Sequence, residues 1–97
     1  MSADAAGRLM LKVFSPQQLV VEREVDSVSL PGLDGERGIL PGHRPMILML
    51  GEGLLTYRAG SQESEVPVRG GTAEIDPDQV RVFIGLPDEN DKGSDDA

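Results

Sequence analysis

The sequence contains no cysteine and no tryptophan, a single histidine, and only three aromatic residues, Phe14, Tyr57 and Phe83, in 97 positions. Without cysteine there is neither a disulfide framework nor a thiolate metal cluster, which fits an intracellular, reducing compartment. His43 has no companion ligands for a zinc site, and no serine sits in a nucleophile motif that would need it as a base. A module that stacks sugars or small ligands needs exposed aromatic rings, and alternation can bury most of the three available here. The longest apolar run, Met46 to Leu50, falls far short of the roughly 20 residues of a membrane-spanning helix. The opening MSADAAGR has neither a basic n-region nor an apolar h-region, so it gives no secretory signal. The net charge of −8 is opposite to the basic footprint that nucleic-acid phosphates require.

The charge is uneven. Residues 88–97 (DENDKGSDDA) carry five acids and one lysine, a net of −4, while residues 1–87 carry twelve acids and eight basic residues, again −4. This polar stretch cannot build a core. The reading is therefore a flexible N-terminus over 1–7, one β domain over 8–86, and an acidic disordered tail over 87–97.

What the body has in quantity is period-two alternation. Leu9, Leu11 and Val13 alternate with Met10, Lys12 and Phe14, and Val80, Val82 and Ile84 with Arg81 and Phe83. Similar alternation runs through Ser27–Leu30 and Leu54–Ala59, and short runs of this kind predict strands with one buried face. No helical spacing persists over ten residues. Turn chemistry punctuates the runs at Ser15-Pro16-Gln17, at Pro31 to Gly35, at Gly51-Glu52-Gly53, at Ala59 to Gln62 and at Asp76 to Gln79, with a kink or bulge at Gly70-Gly71. Many short strands of this kind predict an antiparallel all-β sandwich or barrel.

The candidates for chemistry fall one by one. Gly32, Gly35 and Gly38 lack the Lys-Ser/Thr and the helix of a phosphate loop, because Gly38 leads into Ile39-Leu40-Pro41. Glu22, Glu24 and Asp26 recur at period two without apolar surroundings that would separate their acidities, so a solvated strand face is the better account than a catalytic pair. Asp34 with Glu36, and Asp76 with Asp78, supply too few oxygens for a calcium loop. No catalytic residue, metal or cofactor is expected.

The stretch GERGILPGHRP, residues 35–45, is a loop of fixed shape: Pro41 and Pro45 fix φ at two points, while Gly35 and Gly42 allow turning. His43 within it either bonds to nearby backbone carbonyls or serves an interface. The loop runs into Met46–Leu50, a strand apolar on both faces, which is either central in a sandwich or half covered by another chain. Docking is the use this combination suits best.

On three segments in order, LKVFSPQQLVVEREVDSVSLPG, LDGERGILPGHRP and VRGGTAEIDPDQVRVF, the sequence resembles the epsilon subunit of F-type ATP synthases from about Leu9 to Ile84. That resemblance implies a ten-stranded antiparallel β-sandwich of two five-stranded sheets. It implies a non-catalytic central-stalk subunit that binds the gamma subunit and the c-ring and couples ion translocation to ATP synthesis and hydrolysis. The location implied is peripheral, on the cytoplasmic face of a bacterial inner membrane, with no homo-oligomer required. The c-ring would face Asp34, Glu36, Arg37 and Gly38, and gamma would meet Ser15, His43, Met46, Leu48 and Leu50. The family's C-terminal helical hairpin has no counterpart here, because no apolar helical period follows Ile84. No hairpin-type inhibition and no hairpin ATP site are therefore expected. The alternative is a free-standing β-sandwich that binds a small ligand or a protein.

Overall fold

A computed structural model of the chain describes residues 8–85. Seven strands and no helix occur among these residues: β1 (Leu9–Phe14), β2 (Leu19–Val25), β3 (Ser27–Gly32), β4 (Gly35–Ile39), β5 (Met46–Ala59), β6 (Gln62–Asp76) and β7 (Gln79–Ile84). They form one hydrogen-bonded sheet in the order β2-β1-β7-β6-β5-β3-β4. Every neighbouring pair is antiparallel except β1 and β7, which run parallel. The expected flexible N-terminus, acidic tail and missing hairpin lie outside the described residues.

The all-β class is the one the alternation predicts, but the strand count differs. Seven strands in a single continuous sheet stand where ten in two sheets were expected. The reason is the β5–β6 hairpin, which stays paired from Met46↔Ile75 to the two-residue Gly60-Ser61 turn at Ala59↔Gln62. Gly51-Glu52-Gly53, read as a connection, lies inside β5, and Gly70-Gly71 lies inside β6. Glycines there bend the strands without ending the ladder. The first half of β5 and the last part of β6 belong with β7, β1 and β2, whereas the second half of β5 pairs with β3. Gly71 has φ +134°, and a Cβ on it would lie 2.1 Å from the Phe83 carbonyl oxygen, so no other residue fits that bend.

The core unites both halves in one cluster. Leu9, Leu11, Val13, Val80, Val82 and Ile84 from one half pack with Val28, Leu30, Ile39 and Leu55 from the other. Each fully buried Leu, Ile or Val contributes roughly 1.5–3 kcal/mol relative to exposure. Asp26, between β2 and β3, ties the layers at their margin. Its N–H donates to Arg58 O at 2.7 Å, its carboxylate accepts from Gly60 N–H at 2.8 Å, and Arg8 Nε lies 3.2 Å from it. Glu22 lies on the surface beside Lys12, at 4.0 Å.

Candidate docking surface

The sequence-derived site residues divide between opposite ends of the molecule. At one end, β3 and β4 are joined by the two residues Leu33-Asp34, between the paired Gly32 and Gly35. This tip is held from three sides. Leu33 N–H donates to Met49 O at 3.0 Å, Arg37 pairs with Asp34 at 3.5 Å, and Ser29 Oγ donates to Glu36 at 3.2 Å. Gly35 takes φ +132°, and Gly38 lies opposite Ser29 with open space where a side chain would be. Asp34, Glu36, Arg37 and Gly38 thus form one rigid, exposed, charged hairpin.

Because β4 runs back across the sheet, the Leu40–Pro45 loop lies at the other end. Gly42, at φ +88°, donates its N–H to Pro77 O at 2.8 Å, and His43 N–H donates to Leu40 O at 3.2 Å. The loop is thereby clasped to the Asp76–Gln79 turn, with Pro41 and Pro45 on either side of the clasp. His43 Nδ1 is 2.8 Å from Arg44 O, and since a carbonyl only accepts, this nitrogen carries the proton. The first of the two readings of His43, bonding to backbone, describes its contacts in the chain alone. Ser15 closes the β1–β2 turn, its Oγ accepting from the N–H groups of Gln17 and Gln18 at 3.3 and 3.2 Å. It sits at the Leu33 end, since the pairings Phe14↔Phe83, Gly71↔Ile84, Leu50↔Gly71 and Gly32↔Leu50 run along one level. Ser15 and His43 therefore flank opposite ends of one sheet face.

The strand between them requires a correction. Leu48 and Leu50 are 6% and 3% exposed and belong to the core, while Met46 packs against it. The Leu48 and Leu50 side chains hold the fold together and are not available to a partner, whereas Met46 is half-buried and keeps part of its surface open. Their neighbours Ile47 and Met49, 66% and 54% exposed, face outward instead.

Register then joins Met49 to a longer feature. Met49 is opposite Thr72, Thr72 opposite Phe83, Phe83 opposite Phe14, and Phe14 opposite Leu19. Phe83, Leu19 and Met49 are exposed, and Phe14 stacks on Phe83 with ring centroids 5.2 Å apart. A row that is apolar on four strands, with Thr72 of β6 between Met49 and Phe83, thus crosses the outer face. The next row, Ile47-Glu74-Arg81-Lys12-Glu22, is charged except at Ile47, with Arg81 bonded to Glu74 at 2.8 Å. On the other half, Ser27, Ser29, Thr56 and Arg58, together with Leu40 and Tyr57, line an open depression of about 450 Å³.

Phe14, Leu19 and Phe83 were not among the surface candidates drawn from the sequence, and within the strand Met46–Leu50 the residues singled out were Met46, Leu48 and Leu50, not the outward Ile47 and Met49. For Phe14 and Phe83 the signal was present, because each sits out of phase with a buried aliphatic set. For Ile47 and Met49 it was absent, because all five residues of Met46–Leu50 are apolar and parity alone cannot choose a face.

Comparison with known proteins gives this surface a context. Residues 8–85 match the family model described as ATP synthase, Delta/Epsilon chain, beta-sandwich domain. The chain belongs to the ATP synthase delta/epsilon family. Among relatives of this family, the ATP synthase epsilon chain of Solibacter usitatus is 38% identical over 78 residues, covering 80% of this chain and 58% of the relative. That of Nitratidesulfovibrio vulgaris strain Miyazaki F is 42% identical over 75 residues, covering 77% and 56%. The chain thus spans less than two thirds of the epsilon chains it matches. The fold also resembles a chain in the cryo-EM structure of the Euglena gracilis mitochondrial ATP synthase OSCP/F1/c-ring, with TM-score 0.78, 17% identity, and coverage of 93% of this chain and 61% of that one. A second likeness is to a chain of the Tetrahymena thermophila mitochondrial ATP synthase central stalk and c-ring, at TM-score 0.65 and 12% identity, covering 80% and 63%.

Proposed function

We propose that this chain is a non-catalytic rotor subunit of an F-type ATP synthase, docked on the gamma subunit and the c-ring at the cytoplasmic face of a bacterial membrane. It carries torque between ring and stalk, so that ion translocation and ATP synthesis or hydrolysis proceed together. The apolar row Met49-Phe83-Phe14-Leu19 carries this reading. In a small acidic domain such a row is most readily explained as a surface that a partner covers.

The assignment of partners follows chemistry. The row, with Ser15 beside it at the β1–β2 turn, suits the apolar patch of a stalk protein and is assigned to gamma, as is His43 at the other end of the same strands. The hairpin bearing Asp34, Glu36, Arg37 and Gly38 is polar and rigid, and is assigned to the polar loops of the c-ring. Leu48 and Leu50 act only by holding Ile47 and Met49 outward. The test is co-purification of the full chain with gamma and a c-ring preparation from the same organism. Stoichiometric recovery is expected, and failure to bind either component would end this reading.

A further inference from the structure

A sheet edge offers unpaired backbone donors and acceptors to any extended chain, and proteins normally guard such edges with charge, proline or brevity. Three free edges among the described residues are guarded. β2 exposes Glu22, Arg23 and Glu24. β4 has only five residues, Glu36 and Arg37 among them. The part of β6 before Gly71, beyond the reach of β7, exposes Glu63, Glu65 and Pro67.

The fourth edge is the start of β5, and unlike the others it carries no charge: residues 46–50 read Met-Ile-Leu-Met-Leu. The direction of its backbone follows from one hydrogen bond. Met49 O accepts from Leu33 N–H, so the backbone groups of Met49 point away from β6. Backbone polarity alternates along a strand, so the N–H and C=O of Ile47 point the same way. No described residue pairs with them on that side, because β3 meets β5 only at Leu50 and from Thr56 to Arg58. The edge is ordered at both limits, by the Leu33 bond and by the Gly42–Pro77 clasp that leads into Pro45.

We infer that gamma contributes an extended segment that adds a strand alongside Ile47, hydrogen-bonding its N–H and C=O while covering Ile47 and Met49. This rests on the proposed function and specifies how that partner engages. The occupant is an extended strand because an unpaired donor and acceptor on one residue, at the margin of an apolar row, are matched by strand addition and left unsatisfied by helix docking. The row and the edge are continuous through Met49, so one partner covers both.

The test compares binding of the full chain to purified gamma for Ile47→Pro and Ile47→Ala. Proline removes only an outward N–H at an edge, a position where it is tolerated, whereas alanine removes side chain and keeps the N–H. The expected result is weakening of about tenfold or more for Ile47→Pro and of about threefold or less for Ile47→Ala. Hydrogen exchange on the unmodified chain gives an independent reading: the Ile47 amide is open in the free chain and becomes protected in the complex. Equal effects of the two substitutions, or an Ile47 amide that exchanges freely in the complex, overturn strand addition and leave the proposed function standing. An Ile47 amide already protected in a free chain that sediments as a dimer assigns the edge to a second copy and also overturns it. An unmodified chain that fails to bind gamma removes both the proposed function and the partner strand.

Discussion

Phe14 on β1 and Phe83 on β7 stack at 5.2 Å with their planes inclined by 11°, joining the one parallel strand pair across the outer face of the sheet. Two of the three aromatic residues of the chain are thus spent on the surface, in the row assigned to gamma. Phe83→Ala removes the stack at a cost of about 1 kcal/mol, which lowers the thermal midpoint by roughly 4–8 °C for a domain of this size. The loss of gamma binding should exceed this modest loss of stability, and thermal unfolding alongside a binding titration checks the contrast.

Neighbouring residues of β5 should respond oppositely. Leu48→Ala empties a core position and should cost about 2–5 kcal/mol, read by urea or thermal unfolding. Met49→Asp changes an outward side chain and should shift stability by no more than about 0.5 kcal/mol, yet weaken gamma binding. Equal destabilisation by the two would contradict the assigned parity.

The bend at Gly71 should be intolerant. Gly71→Ala meets the Phe83 carbonyl and a positive φ together, and should cost at least about 2 kcal/mol or prevent folding. Gly60→Ala, at φ +67° in the open hairpin turn, should cost only about 1–2 kcal/mol. Chemical denaturation of the two variants side by side measures the difference.

Glu36→Lys should separate stability from coupling. Glu36 is exposed and accepts one hydrogen bond from Ser29, so charge reversal should alter stability by less than about 1 kcal/mol. In the assembled enzyme it should reduce ATP-driven ion pumping relative to ATP hydrolysis, measured on reconstituted vesicles. Unchanged coupling would remove this turn from the ring interface.

Much of this architecture is legible in the amino-acid sequence. Alternation located the buried sets of β1, β3 and β7, and the glycines, prolines and aspartates marked the turns at Leu33-Asp34, Gly60-Ser61 and Pro77-Asp78. Gly51 and Gly53 misled, because glycine serves equally to end a strand and to bend one, and only long-range pairing distinguishes the two; the kink expected at Gly70-Gly71 is present, but inside one strand instead of between two. The docking row was hidden for a related reason. It runs across strands that are distant in sequence, so Met49, Phe83, Phe14 and Leu19 become neighbours only once the register is set. The parallel β1–β7 pairing was equally invisible, since no local pattern encodes it.

The central claim is that the outer apolar row is where this chain meets the stalk. It is tested most directly by titrating gamma with the full chain, unmodified, as the double variant Phe83→Asp with Met49→Asp, and as Ser61→Asp at the exposed hairpin tip. The account predicts that the double variant keeps its fold by circular dichroism and loses about a hundredfold or more in affinity, while Ser61→Asp binds like the unmodified chain. A folded double variant that binds gamma as tightly as the unmodified chain would contradict it.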